Sequence, residues 1–184
     1  MQKLQFCHVL NGISMLIPLN VVITNASPQN MFIAWIFYVV TIFSMHYHVG
    51  TAFGFWDPID SFPRKLDITF QILSFPFFAF ASSGGNAVFT LTCAMACFVP
   101  LLFAWLPGVC NDESRWRVNA VLGAFVTCGL LLQGKVLLFI CATCSAAFAG
   151  VFFLCQHLAP ALLFLSRFGL ALWLYFICLS CPTS

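Results

Sequence analysis

The chain has 184 residues, of which 62% are hydrophobic and only 7% charged, and its mean hydropathy is +1.01. A soluble domain carries roughly 25% charged residues, so a water-soluble globule is excluded and an integral membrane protein is indicated. The net charge of +2, with no long basic stretch, gives nothing that tracks phosphates, so nucleic acid is not an expected partner.

A spanning helix needs about 20 mainly apolar residues, and seven segments qualify in chain order. The first, about 6–24, is weakened by Asn11, Pro18 and Asn20. Its lead-in, MQKLQFCHVLNG, lacks the pattern of a cleavable signal peptide, so this span is expected to stay. The second, about 31–54, carries the stretch FSMHYHVG near its end. The third, about 66–82, contains Pro76, where a kink is expected. The fourth, about 86–106, should bend at Pro100. The fifth, sixth and seventh cover about 117–133, 135–156 and 159–180. The reading is therefore all-α: a seven-transmembrane-helix bundle forming one membrane domain over 1–184.

Short connectors such as NASPQN and SSGG are turn chemistry. Small residues in the later spans (Gly123, Ala124, Gly129, Ala146, Ala147, Gly150) are expected to let helices approach closely. With seven spans, Lys3, Arg64, Lys65, Arg115 and Arg117 fall on the N-terminal side and Lys135 on the other. The positive-inside rule then puts the N-terminus in the cytosol or an equivalent compartment. Which membrane holds the chain is left open.

Most of the ten cysteines lie inside apolar runs. Cysteine is at home in an apolar interior, so packing is the first reading. Cys141 and Cys144 form a CxxC with no second pair, a weak metal or redox signal.

Four polar side chains can share one layer. Ser44 and His48 stand at i and i+4, on one helix face; His46 points elsewhere. Asp67 opens the third span, and His157 lies between the sixth and seventh, both on the side where His48 sits. Ionisable groups in a membrane face the bundle interior and take partners. Imidazoles with a carboxylate suit zinc, and metal-bound water attacks amides or esters. The competing reading satisfies all three groups with headgroups and water at the span ends.

The run T41-I-F-S44-M-H-Y-H48, followed by K65-L-D67 opening the third span, resembles the myomaker-like branch of the CREST superfamily. That superfamily also holds alkaline ceramidases and adiponectin-type receptors. The approach M31-F-I-A-W-I-F-Y-V-V-T41 and the D112-E-S-R-W116 loop are compatible, so the resemblance spans nearly the whole chain. It implies a seven-helix fold with zinc held by three histidines, a Ser and an Asp close by. Carried over, Ser44 and Asp67 take the catalytic positions and His48 a metal position. His157 begins the region of the remaining histidine motif, but its i+4 partner is Ala161, with Pro160 between. The resemblance further implies an N-terminus outside, against the charge count. It also draws attention to Cys178 and Cys181 near the C-terminus as lipidation candidates, although Pro182 suits a prenylation box poorly.

Two functions follow as expectations. The first is a non-catalytic, degenerate CREST-like membrane protein, a subunit in a membrane assembly, with membrane lipids and other membrane proteins as partners and no cofactor. The alternative is a zinc-dependent lipid amidase or esterase, with zinc on His48 and His157.

Overall fold

The computed structural model describes residues 2–25, 28, 30–106, 112–155, 159 and 162–181, and of 2–5 and 112–114 the backbone alone. Among the described residues the chain is helical throughout, without a strand. The helices are α1 (Gln2–Ser14), α2 (Leu16–Thr24), α3 (Met31–Ala52), α4 (Phe62–Ser82), α5 (Ala87–Trp105), α6 (Asp112–Leu132), α7 (Val136–Leu154) and α8 (Leu162–Leu179).

The first expected span is two helices. Pro18 has no N–H for the Ser14 carbonyl, and its ring crowds that carbonyl. The ladder therefore breaks at Met15, where the backbone turns through a Met15 N–H bond to Gly12 O at 3.2 Å. Pro76 acts differently, because α4 runs straight through it. The carbonyl it deprives of a helical donor is that of Ile72. From α5, the Cys97 thiol reaches that oxygen at 3.5 Å. A neighbouring helix thus re-satisfies a backbone group that apolar surroundings would otherwise leave costly.

Six helical segments are long and apolar enough to cross a membrane: Phe6–Thr24, Met31–Ala52, Ala87–Trp105, Arg115–Leu132, Val136–Leu154 and Leu162–Leu179. The expected count of seven is not met by this measure. The exception is α4, which is long enough but more polar. It begins four residues before the expected position, with Pro63 in its first turn, so Arg64 and Lys65 lie inside the helix. Its position offsets that polarity: α4 packs against α3, α5, α6 and α8, so the least lipid-compatible helix is wrapped by others.

The interior is apolar between two polar layers. Ile33, Ile68, Ile72, Val126, Leu130, Leu174 and Ile177 are fully or almost fully buried. Phe78 stands edge-on to Trp173, centroids 5.9 Å apart. With no hydrophobic drive between helices in lipid, such packing and interhelical hydrogen bonds hold the bundle.

Close helix approach uses only part of the expected set. A Cβ at Gly129 would lie 2.4 Å from Ser82 Oγ, and one at Gly169 would lie 2.8 Å from the Ala149 backbone nitrogen. These glycines let α6 meet α4 and α8 meet α7. Gly123 and Gly150 have more room: a Cβ there would meet Phe75 at 3.9 Å and Trp116 at 3.5 Å. They line a cavity instead, as do Ala124, Ala146 and Ala147.

Candidate functional site

Ser44 and His48 come from the last turns of α3, and Asp67 from the second turn of α4. All three are interior, at 1%, 3% and 0% exposure. For His48 and Asp67, the reading that left the ionisable groups to headgroups and water at span ends gives way to burial. Their spacing gives the reason. Ser44 and His48 share an inward face, from which Ser44 meets Asp67 of α4 and His48 meets His8 of α1. His46 is exposed and lies against Trp56, ring centroids 5.5 Å apart, as its place two residues from His48 requires. His157 lies outside the described residues.

Asp67 is held by donors from two helices. Gln71 Nε2, one turn along α4, donates to its Oδ1 at 2.7 Å. Arg115 Nη1, from the first turn of α6, pairs with its Oδ2 at 3.4 Å. Asn119, one turn further, donates to Gln71 Oε1 at 3.3 Å. Asp67, Gln71, Arg115 and Asn119 thus form a ladder of i, i+4 pairs joining α4 to α6. Ser44 sits across from the carboxylate, close enough for its hydroxyl to interact with it.

His48 turns toward α1, where His8 Nδ1 lies 3.3 Å from its own Nδ1. Arg167 of α8 donates to the Asn11 side chain of the same helix. Five helices, α1, α3, α4, α6 and α8, therefore meet at this end of the bundle. The loop between α3 and α4 seals it. The Pro58 carbonyl accepts from Tyr47 Oη at 2.9 Å and also from the Arg64 guanidinium. Asp57 Oδ1 accepts the backbone N–H groups of Ile59 and Asp60 at 2.6 and 2.9 Å, an Asx turn. These N–H bonds hold the Asp57 carboxyl below its ordinary range, that from Asp60 most. Trp56 folds back onto Gly50, where a Cβ would come within 1.8 Å of the indole nitrogen.

Beside this layer lies a cavity of about 680 Å³, within the range of small-molecule sites. One end is polar, lined by His48, Gln71, Arg115, Asn119 and Arg167. The remainder is mostly apolar, with Phe75, Phe78, Phe139, Leu170 and Trp173 on its walls.

Among the described residues no three of His, Cys, Asp and Glu come together in a group that could hold a metal ion. His48 faces one imidazole, and Asp67 is engaged by Arg115 and Gln71. The described donors do not fit the zinc that the resemblance implies.

At the opposite end, Cys178 is buried and Cys181 half-buried. Burial pushes the Cys181 thiol above its ordinary pKa, which leaves less of the nucleophilic thiolate. Lys135 donates to the Ser180 carbonyl just past α8, and Asn30 Nδ2 reaches Cys178 O at 3.4 Å.

Four members of the polar layer were missed as partners: His8, Gln71, Arg115 and Asn119. Gln71 and Asn119 carried a usable signal, being amides four residues after a charged group inside an apolar span. Arg115 was placed in a connector because the start of α6 was set five residues too late. Comparison with protein-family models, curated proteins and solved structures finds no match for this chain.

Proposed function

We propose that this chain is a seven-crossing integral membrane protein of CREST-like design that is not a hydrolase and serves as a structural subunit of a membrane assembly. In this reading α4 is the seventh crossing, admitted to the bilayer by its neighbours. The observation that carries the non-catalytic part is the occupation of Asp67. Its two oxygens are taken by Arg115 and Gln71, which makes it a clamp between α4 and α6. A carboxylate whose charge is paired with a guanidinium is a poorer ligand for a metal than a free one. The partner part is supported by the short connectors, which leave helix faces and small loops as the available binding surface.

The test is purification in mild detergent or native nanodiscs with metal analysis. The expected result is a stoichiometric membrane-protein partner, and a zinc content far below one per chain that His48→Ala does not change. A chain that runs alone and monodisperse, or that carries one zinc lost on His48→Ala, would sink the proposal.

The zinc-dependent lipid amidase or esterase keeps one observation in its favour, the convergence of the His8 and His48 ring nitrogens. It also requires His157 as a ligand.

A further inference from the structure

The polar end of the cavity carries more positive than negative charge among the described residues. Asp67 supplies one carboxylate, and Arg115 is the guanidinium paired with it. Arg167 is a second guanidinium on the same cavity. Its hydrogen-bond acceptor is a neutral amide oxygen of Asn11, and its Nε is buried with no partner among the described residues. Asp67 lies close enough to attract it but pairs directly with Arg115, so Arg167 is only partly compensated. A cation within a bundle in lipid is costly, and such groups mark ligand or ion sites. Guanidinium is also the side chain best shaped for carboxylate and phosphate. Beyond this end the walls become aromatic and aliphatic, and Gly123, Ala146, Ala147 and Gly150 leave volume along α6 and α7 unfilled. The cavity is therefore long in apolar surface and has its cationic groups at one end.

We propose that this cavity binds one amphiphile with an anionic headgroup, a carboxylate or phosphate. The head is received by Arg167 beside Arg115 and Asn119, and the hydrocarbon chain lies along Phe75, Phe139, Leu170 and Trp173. The two parts of the site make different demands. Arg167 selects charge, while the small residues of α6 and α7 provide room for the tail. A neutral analogue satisfies only the second, and a free inorganic anion only the first. This proposal does not depend on whether the chain is a subunit or an enzyme.

The experiment uses the full chain in neutral phosphatidylcholine nanodiscs and a long-chain fatty acid carrying a photoreactive group on its tail. Its methyl ester is run in parallel, and labelled peptides are mapped by mass spectrometry. The acid is expected to label α6, α7 or α8 residues of the cavity saturably, and the ester at least tenfold less. Arg167→Gln should lower labelling by the acid about tenfold, Arg167→Lys should retain most of it, and Gly123→Phe should block it by filling the tail region. Unlabelled fatty acid or lysophosphatidate should compete, and inorganic phosphate should not. Equal labelling by acid and ester on the unmodified protein would overturn the proposal without reference to any variant's folding. So would unsaturable labelling spread over the outer helix faces. Competition by inorganic phosphate as strong as that by fatty acid would reassign the site to a free anion and overturn the amphiphile.

Discussion

Asp67 shows how much one side chain can organise. It is fully buried, yet it reaches Arg115 on another helix and Gln71 on its own. Removing one partner of a buried ion pair costs about 3–5 kcal/mol, because the other charge is left behind. Asp67→Asn is therefore expected to lower stability by about 3 kcal/mol, less if the cavity hydrates Arg115. The double variant Asp67→Leu with Arg115→Met should recover most of that loss, measured by thermal unfolding in detergent. Asp57 allows a pH test of the loop over the site. Its pKa is depressed in the folded chain, so its stabilising bonds are fully present above the ordinary carboxylate pKa. They are lost as pH falls through the lower folded value. Proteolysis within 54–61 should thus be slow at neutral pH and rise only in strong acid, whereas Asp57→Ala should be cut quickly at both. That Ser44, His48 and Asp67 face inward was legible, because i, i+4 spacing and crossing parity fix face and side. Their partners His8 and Arg115 were not, since pairing across 40 and 48 positions depends on packing that no local pattern encodes.

Among the helices, proline positions were legible but their consequences were not. Pro18 and Pro76 both promised disturbance. Pro18 breaks the helix, whereas Pro76 leaves it continuous, with Cys97 of α5 on the freed Ile72 carbonyl. That contact gives one of the ten cysteines a specific task beyond filling space. Cys97→Ala should cost about 1 kcal/mol, and much less in a Pro76→Ala background, where the ladder takes that carbonyl back. A double-mutant cycle with near-zero coupling would show that the thiol is only filler. Small residues in α6 and α7 read as a helix-packing stripe, but spacing cannot tell a groove that receives a helix from one left hollow. Gly129 and Gly169 receive neighbours, while Gly123 and Gly150 border the cavity.

For the whole bundle, composition was sufficient to read a helical membrane protein, and the six apolar segments agree with it. The helix α4 falls short of the hydropathy measure, which scores each helix as though it met lipid on every side. By hydropathy α4 is the weakest of the long helices as a span, yet by position it packs against four others, α3, α5, α6 and α8. This has a bearing on biogenesis. Asp67, Lys65 and Arg64 crowd the first two turns of α4 and make it a poor substrate for insertion on its own, although charge costs less near a helix end than at its centre. If α4 is the proposed seventh crossing, α3 and α5 are expected to enter the bilayer first, with α4 drawn in between them once α6 brings Arg115. In a translocation assay α4 alone should pass through rather than lodge, and Asp67→Leu should make it lodge. Native α4 should integrate when synthesised within the α3–α6 segment. The helix at the middle of this protein is thus the one that the membrane accepts last.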